Sequence, residues 1–244
     1  LMRSSAASDV YKRQVYVNLF LSNRAKLKVN GKNVVLEQET SYPWNGDIRL
    51  TVAKGNQPFV MNVRIPGWVR GSVLPGGLYS YADGEELAYR VSVNVPVRKG
   101  ALQKGYLSID RRWKKGDVVE IHFDMQPRVV KANDKVAADR GRVAIECGPL
   151  VYCAEWPDND FDISTLLLNR HPKFQVVEHP DLLGGINEIT TRAQALSYDA
   201  TGRLAAKDVK LTLIPYYAWA HRGEGRMEVW LPIEVGAASA ELQE

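Results

Sequence analysis

From Val15 onward, apolar and polar residues alternate with a period of two rather than the 3.6-residue period of an amphipathic helix. The alternating runs are short, rich in β-branched and aromatic residues, and separated by Gly, Pro or Asn, as is typical of strands and turns. In the first half of the chain they predict strands at Val15–Ser22, Lys26–Asn30, Val34–Gln38, Asp47–Val52, Phe59–Ile65, Arg90–Val95, Tyr106–Asp110 and Asp117–Phe123. In the last of these, alternation places Val119, Ile121 and Phe123 on one face.

One turn carries a more specific signal than the others. The segment Gly31-Lys32-Asn33 follows Asn30 and separates the alternating runs Lys26–Asn30 and Val34–Gln38. An Asn-Gly step between two alternating runs favours a tight turn with positive φ angles. The sequence therefore predicts a β-hairpin at this point.

A second series of strands is predicted after Gln126-Pro127, because proline cannot donate a hydrogen bond to a strand ladder. Its runs are Arg142–Cys147, Leu150–Ala154, Lys173–Glu178, Asp208–Leu213 and Arg226–Leu231. Trp156–Arg170 and Asp181–Arg203 are predicted to be long irregular connections, with room in Asp181–Ala195 for a turn or two of helix at most.

Regularly spaced short strands of this kind indicate an all-β protein. We expect two tandem antiparallel β-sandwich domains, jelly-roll-like in architecture, at residues 15–125 and 126–235. Residues 236–244 are small or polar and are expected to form a flexible tail. Residues 1–14 (LMRSSAASDVYKRQ) have no periodicity, and SDVYKRQ resembles a translated sequencing-adapter remnant. We therefore expect residues 1–14 to be a non-native leader.

Composition narrows the classes of partner. Apolar residues make up 45% and charged residues 25% of the 244 residues, as in globular proteins. The net charge of +4 is spread along the chain, which argues against a nucleic-acid-binding surface. No apolar run approaches the roughly 18 residues of a membrane-spanning helix. We expect neither nucleic acid nor membrane as a partner.

Candidate catalytic chemistry is sparse. The two cysteines, Cys147 and Cys153, are six residues apart, and a disulfide between them would require a reversal at Gly148-Pro149. The four histidines are isolated from one another, and the carboxylates show no spacing that identifies an acid and base pair. We assign no catalytic residue and no metal ligand from the sequence.

Two tracts near the C-terminus carry a resemblance to a known family. Asp139–Glu155 (DRGRVAIECGPLVYCAE) and Ile214–Trp230 (IPYYAWAHRGEGRMEVW) resemble the closing signature of glycoside hydrolase family 127, whose founding activity is β-L-arabinofuranosidase. The earlier segments Val15–Ser22, Gln38–Gly46, Arg64–Trp68 and Trp113–Asp117 follow in the order that this family places them. The resemblance covers nearly the whole chain from Val15.

The resemblance implies that the catalytic machinery lies elsewhere. In the family, these segments follow an (α/α)₆ barrel in which a glutamate and three cysteines hold zinc and one of the cysteines is the nucleophile. This sequence has neither the Glu-x-Cys nor the Cys-Cys arrangement of those ligands. The resemblance therefore implies no cofactor in this chain, zinc in the missing N-terminal barrel, and no disulfide.

Aromatic side chains are the remaining functional candidates. Those singled out, as residues of a substrate entrance or a domain interface, are Tyr42, Trp44, Trp68, Tyr216, Tyr217 and Trp219. Strand alternation would place Tyr216 and Trp219 on opposite faces, which favours packing against a neighbouring domain over sugar binding. The expected partner is the missing catalytic barrel, and an oligosaccharide is the second candidate.

The sequence thus predicts an accessory and structural region of a family 127 enzyme that acts on β-L-arabinofuranosyl linkages in plant-type glycans. This region would brace the barrel and shape its substrate entrance. The alternative is an independent carbohydrate-binding β-sandwich module. The compartment, bacterial cytoplasm or periplasm, is left open by the sequence.

Overall fold

The computed structural model describes residues 13–96 and 102–239. The chain divides into two compact units: unit 1 contains the residues up to Gly71 together with Glu86–Met125, and unit 2 contains Ser72–Glu85 and the residues from Gln126 onward. Most of the predicted leader lies outside the described residues, but Gln14 already belongs to the first strand. Both units are built almost entirely from strands, which confirms the predicted all-β class.

The described residues of unit 1 form nine strands. They are β1 (Gln14–Val17), β2 (Asn23–Val29), β3 (Lys32–Thr40), β4 (Asp47–Lys54), β5 (Asn56–Arg64), β7 (Tyr89–Val93), β8 (Val95–Pro96), β9 (Tyr106–Lys114) and β10 (Val118–Phe123). They form a three-stranded sheet in the order β1-β5-β9 and a six-stranded sheet in the order β2-β3-β4-β10-β7-β8. β1 and β5 run parallel, a departure from the predicted antiparallel arrangement.

Two local patterns of unit 1 are confirmed, whereas the strand predicted at Val15–Ser22 ends at Val17. Asn30 and Gly31 have φ angles of 50° and 73°, which makes them the central residues of a two-residue type I′ turn between β2 and β3. The hairpin is therefore where it was predicted, although Lys32 already belongs to β3. In β10, Val119, Ile121 and Phe123 are buried as alternation required.

Unit 2 contains ten strands and one short helix. The strands are β6 (Tyr79–Tyr81), β11 (Pro127–Ala132), β12 (Arg142–Cys147), β13 (Leu150–Glu155), β14 (Leu166–Leu168), β15 (Gln175–His179), β16 (Ile186–Tyr198), β17 (Leu204–Pro215), β18 (Met227–Glu228) and β19 (Leu231–Pro232), and the helix is α1 (Val235–Ser239). The 3₁₀ turns are Ala137–Asp139, Trp156–Asp158, Ile163–Thr165 and Tyr216–Ala218.

All ten strands of unit 2 belong to one hydrogen-bonded sheet. The main path runs β14-β16-β17-β13-β12-β11-β6, while β15, β18 and β19 pair with β16, β13 and β12. Buried side chains from strands far apart in this order, including Ile145, Leu166, Ile189 and Leu213, share one apolar cluster. The sheet therefore folds around a single core.

The prediction for Asp181–Arg203 was wrong. This segment contains β16, one of the two longest strands, which pairs with β17 from Ile189↔Leu213 to Tyr198↔Leu204. Its Asn, Gln and Ala residues give little local strand signal. Pairing with β17 along one edge and with β14 and β15 along the other makes it a central strand.

The predicted domain boundaries need one correction. Ser72–Glu85, which the sequence pattern places in the first domain, belongs to unit 2, where β6 pairs with β11. Arg128 explains the attachment, because its guanidinium donates to Asp83 Oδ2 at 3.0 Å and lies 3.5 Å from the Tyr81 ring centroid. The Tyr81 hydroxyl donates in turn to Glu146 at 2.7 Å.

The predicted flexible tail is ordered at its start. Helix α1 covers Val235–Ser239, Ala238 is buried, and the Arg142 guanidinium donates to the Ala237 carbonyl oxygen at 3.1 Å. The remaining tail residues, 240–244, lie outside the described part of the chain. Within that described part, no helix has the length and apolar character needed to cross a bilayer.

Candidate functional site

The two tracts that carry the family resemblance lie side by side in unit 2. The first supplies β12 and β13, and the second supplies the end of β17 together with β18. Cys153 pairs with Ile214, and Ala154 pairs with Glu228 on the other edge of β13. Residues about sixty positions apart in sequence therefore build one continuous surface.

A buried ion cluster holds this surface together. Glu155, 2% exposed, accepts hydrogen bonds from the Arg222 guanidinium and, at 2.8 Å, from the backbone N–H of Ala220. The same guanidinium donates two bonds of 2.5 Å to Asp158. These carboxylates and their hydrogen bonds raise the pKa of Arg222 above its ordinary value. The cluster fixes the loop after the Tyr216–Ala218 turn against the end of β13.

Asn159 provides a second attachment beside the cluster. Its amide nitrogen donates to the carbonyl oxygens of Glu155 at 2.9 Å and Thr212 at 3.1 Å, and its amide oxygen accepts from the Thr212 N–H at 2.9 Å. Asn159 is itself buried, so these bonds replace those that water would make. The Trp156–Asp158 turn is thereby tied to β17.

The prediction that Tyr216 and Trp219 lie on opposite faces was wrong. Strand alternation ends at Pro215, and Tyr216–Ala218 forms a 3₁₀ turn. Because a 3₁₀ helix has three residues per turn, side chains three positions apart lie above one another. Tyr216 and Trp219 accordingly stack with ring centroids 6.2 Å apart and an interplanar angle of 28°.

These rings belong to a solvent-facing group that we call the unit 2 aromatic cluster: Trp156, Tyr216, Tyr217 and Trp219. The first three are 42%, 44% and 56% exposed. Gly225 lies against the Trp156 ring, where an added Cβ would come within 2.0 Å of Trp156 Cδ1. The group thus presents large exposed rings on a framework fixed by the ion cluster.

The aromatic candidates of unit 1 have different surroundings. Trp68 is buried and packs edge-on against Phe123 at 5.8 Å, so its ring belongs to the core. Tyr42 is half-buried and meets Phe20 edge-on at 5.6 Å. Burial raises the pKa of Tyr42, and a hydrogen bond with Trp68 acts in the opposite direction. Trp44, also half-buried, lies in the same loop, and its backbone N–H donates to the Ser41 carbonyl oxygen.

Two leucines next to this loop had no distinguishing sequence signal. Leu19 and Leu21 are 47% and 48% exposed, although they lie on either side of the buried Phe20. The buried Gln38 amide donates to both leucine carbonyls, at 3.2 Å and 2.6 Å. We call Leu19 and Leu21, together with Tyr42 and Trp44, the unit 1 apolar edge.

The cysteines are free thiols, in agreement with the prediction. Gly148-Pro149 does reverse the chain, but the register pairs Cys147 with Leu150 and leaves Cys153 three positions further along β13. Burial raises the pKa of Cys147 to about 11 and that of Cys153 to about 12. Both are therefore protonated at neutral pH and are weak nucleophiles.

Among the residues that the structure describes, the cysteines and histidines are not grouped as metal ligands. A zinc site uses a matched cluster of thiolate, imidazole or carboxylate ligands. Among the described residues, no group of three or more His, Cys, Asp or Glu side chains is arranged to hold a metal ion. His122 contacts Asp47 at 2.6 Å and Asp124 at 3.1 Å, each through a different ring nitrogen. Both ring nitrogens of His122 therefore contact carboxylates on the face of the sheet.

Both units are thus all-β modules, and unit 2 presents exposed aromatic rings. Two family models divide nearly the whole chain between them. Residues 14–125 match the middle domain of glycoside hydrolase family 127, described as β-L-arabinofuranosidase, and residues 127–232 match the C-terminal domain of the same family. The chain therefore belongs to glycoside hydrolase family 127.

Individual relatives agree with this assignment. The non-reducing end β-L-arabinofuranosidase of Bifidobacterium longum subsp. longum is 32% identical over 238 residues, covering 89% of this chain and 33% of the relative. A solved GH127 β-arabinofuranosidase matches with a TM-score of 0.91 and 68% identity, over 93% of this chain and 36% of its own. The GH127 β-L-arabinofuranosidase of Geobacillus stearothermophilus T6 matches with a TM-score of 0.80 and 34% identity, and the match covers 91% of this chain and 34% of that protein. The chain spans about a third of the length of these relatives.

Proposed function

We propose that this region is an accessory part of a family 127 arabinofuranosidase that docks onto the remaining two-thirds of the protein through the unit 1 apolar edge. In this proposal the docked region stabilises the catalytic part and shapes the entrance to its substrate site. The zinc-dependent chemistry belongs to the part of the family protein that this chain does not match. Hydrolysis of a β-L-arabinofuranosyl linkage is the activity of that larger protein.

The observation that carries the proposal is the exposure of Leu19 and Leu21 on a backbone that is hydrogen-bonded in place. Exposed apolar side chains are common, but here the backbone carbonyls of both residues accept hydrogen bonds from the buried Gln38 amide, which fixes the segment that presents them. A surface ordered before contact loses little conformational entropy when a partner covers it. Leu19 and Leu21 are already about half-buried, so covering what remains exposed would contribute about 1.5–3 kcal/mol for the two together, half of the value for fully exposed side chains.

A chimera tests this role. This chain would replace the matching third of the 68%-identical GH127 β-arabinofuranosidase, with and without the double substitution Leu19→Asp and Leu21→Asp. We expect the double variant to lose several degrees of melting temperature and at least tenfold in kcat/KM, because two carboxylates would be buried without partners at the docking surface. Differential scanning fluorimetry and release of arabinose from a β-L-arabinofuranoside measure the two effects.

The control is the same charge change at an exposed apolar site in unit 2, Val176→Asp with Val177→Asp. These residues lie on β15, away from the unit 1 apolar edge in sequence and in a different compact unit. Equal melting temperatures and rates for the Leu19/Leu21 variant and the unmodified chimera would refute docking through this edge. A Trp44→Ala variant, measured in the same way, tests the contribution of the loop that carries Tyr42 and Trp44 separately from that of the two leucines.

The unit 2 aromatic cluster favours a second function, binding of a neutral oligosaccharide. Three exposed rings on a fixed framework suit the stacking of sugar rings, which is the alternative that the sequence already left open. Titration of this chain with an arabino-oligosaccharide, followed by tryptophan fluorescence, would detect it. Loss of the signal in Tyr217→Ala, with the melting temperature retained, would assign the binding to this cluster.

A further inference from the structure

Two clefts of unit 2 lie on either side of the segment Asn169–Lys173, which connects β14 to β15. One, of about 970 Å³, extends over β16 and β17, and the other, of about 590 Å³, extends over β11 and β12. Asn169, His171 and Phe174 line both. Because the two clefts share these three lining residues, we call them together the groove of unit 2. Neither the apolar edge nor the aromatic cluster includes it.

The groove is basic. Six Lys or Arg residues and three carboxylates line its two parts. Two of the carboxylates are paired with cations: Asp83 with Arg128, and Glu234 with Arg170 at 4.0 Å. Asp208 accepts only from the neutral Gln194 amide, at 3.4 Å, and keeps its negative charge. Among the described residues, no ion-pair partner contacts the side chains of Lys131, Lys173, Arg192 or Lys210. These four cations outnumber the one unpaired carboxylate, so the groove keeps a net positive charge.

Two of these cations are held together by the strand register. Arg192 of β16 lies directly opposite Lys210 of β17. Side chains at directly opposed positions are about 4.5–5.5 Å apart at Cβ, and like charges there destabilise the sheet. Lys173 lines the same cleft from the neighbouring segment. An anion bound between these groups would attract both cations and offset the repulsion between them.

The uncharged lining suits a sugar rather than a bare anion. Asn169 and Gln175 offer amide groups, Thr190 offers a hydroxyl, and Phe174 and Val209 contribute apolar surface to the same cleft. Hydrogen-bonding groups beside an apolar face match a pyranose ring, which has hydroxyls at its rim and C–H groups on its faces. A groove of two adjoining parts also has room for more than one sugar unit.

We propose that this groove binds a carboxylate-bearing oligosaccharide, with Arg192, Lys210 and Lys173 contacting the uronate carboxylates. The oxyanion preference comes from the charges of the groove, whereas the choice of a glycan as its carrier rests on the family assignment. Binding here requires neither docking of unit 1 nor the aromatic cluster. Failure of either of those proposals leaves this one standing, and the converse also holds.

The test is calorimetric titration of the full chain with trigalacturonate at low ionic strength. We expect saturable binding that weakens as salt is added, because screening shortens the range of the attraction. The double variant Arg192→Gln and Lys210→Gln should bind at least tenfold more weakly and melt no lower than the unmodified chain, since it removes a like-charge pair. The control, Lys26→Gln with Lys28→Gln, makes the same charge change on the exposed face of β2 and should bind normally.

Two further arms identify the ligand. A neutral trisaccharide of the same length should bind at least tenfold more weakly than trigalacturonate, and inorganic phosphate should not compete at equal concentration of charge. Competition by phosphate at the strength of trigalacturonate would show a site for free oxyanions and overturn the glycan assignment. Absence of trigalacturonate binding, or equal binding by the groove variant, would overturn the site itself.

Discussion

Replacing Arg222 by Ala is expected to lower the free energy of unfolding of unit 2 by about 3–5 kcal/mol, the usual cost of leaving a buried charge without its partner. Arg222 is the cation between Glu155 and Asp158, both of which are largely buried. In its absence Glu155 retains only the backbone N–H of Ala220 among these contacts. Urea denaturation followed by circular dichroism measures the loss.

Arg226→Ala is the matched control. It lies four positions later in the same loop and is exposed, so its removal should change stability by no more than about 0.5 kcal/mol. Arg222→Lys should fall between the two, because an ammonium keeps the charge but cannot form the paired hydrogen bonds to Asp158. If Arg222→Ala and Arg226→Ala unfold at the same urea concentration, the ion cluster does not hold unit 2 together.

Replacing Ser72–Glu85 by a Gly-Ser linker of equal length should destabilise unit 2 by a comparable amount, about 3–5 kcal/mol. The replacement removes β6 and leaves the buried Arg128 without Asp83, with which its guanidinium forms two hydrogen bonds, and without the Glu85 carbonyl at 2.7 Å. It also removes the stack of Tyr79 on Trp230, whose centroids are 5.6 Å apart. Thermal unfolding followed by near-ultraviolet circular dichroism detects the change.

A second substitution separates charge from pairing in this experiment. Arg128→Met in the linker variant removes the unpaired cation and should recover part of the lost stability, because a buried apolar side chain of similar length has no such cost. The same substitution in the unmodified chain instead leaves Asp83 without its partner. A linker variant that melts with the unmodified chain would show that β6 adds nothing to unit 2.

The parts of the fold that the sequence predicted are those determined by neighbouring residues. The Asn30-Gly31 turn and the alternation of β10 depend on a few adjacent positions, and both were confirmed. β16 was missed because its identity as a strand comes from pairing on both edges. The attachment of β6 to β11 was missed for the same reason, since an Arg–Asp pair 45 residues apart leaves no periodic signal.

In the candidate site, too, local features were predicted from the sequence and long-range contacts were not. Residue type identified Tyr216, Tyr217 and Trp219 but not the exposed Trp156, and the arrangement of the first three depended on a 3₁₀ turn that strand periodicity does not predict. Trp68 has the same chemistry as Trp219, yet it lies in a core. The contacts between Glu155 and Arg222 span 67 residues, and the backbone at Leu19 is fixed by Gln38 of β3. These features required three-dimensional information.

The central claim is that this region supports a family 127 enzyme and does not carry out its reaction. The most direct test compares arabinose release from a β-L-arabinofuranoside by equal molar amounts of the purified chain and of the full-length chimera. We predict release by the chimera and none above the buffer rate by the chain alone. Sustained release by the chain alone, proportional to its concentration, would contradict the claim.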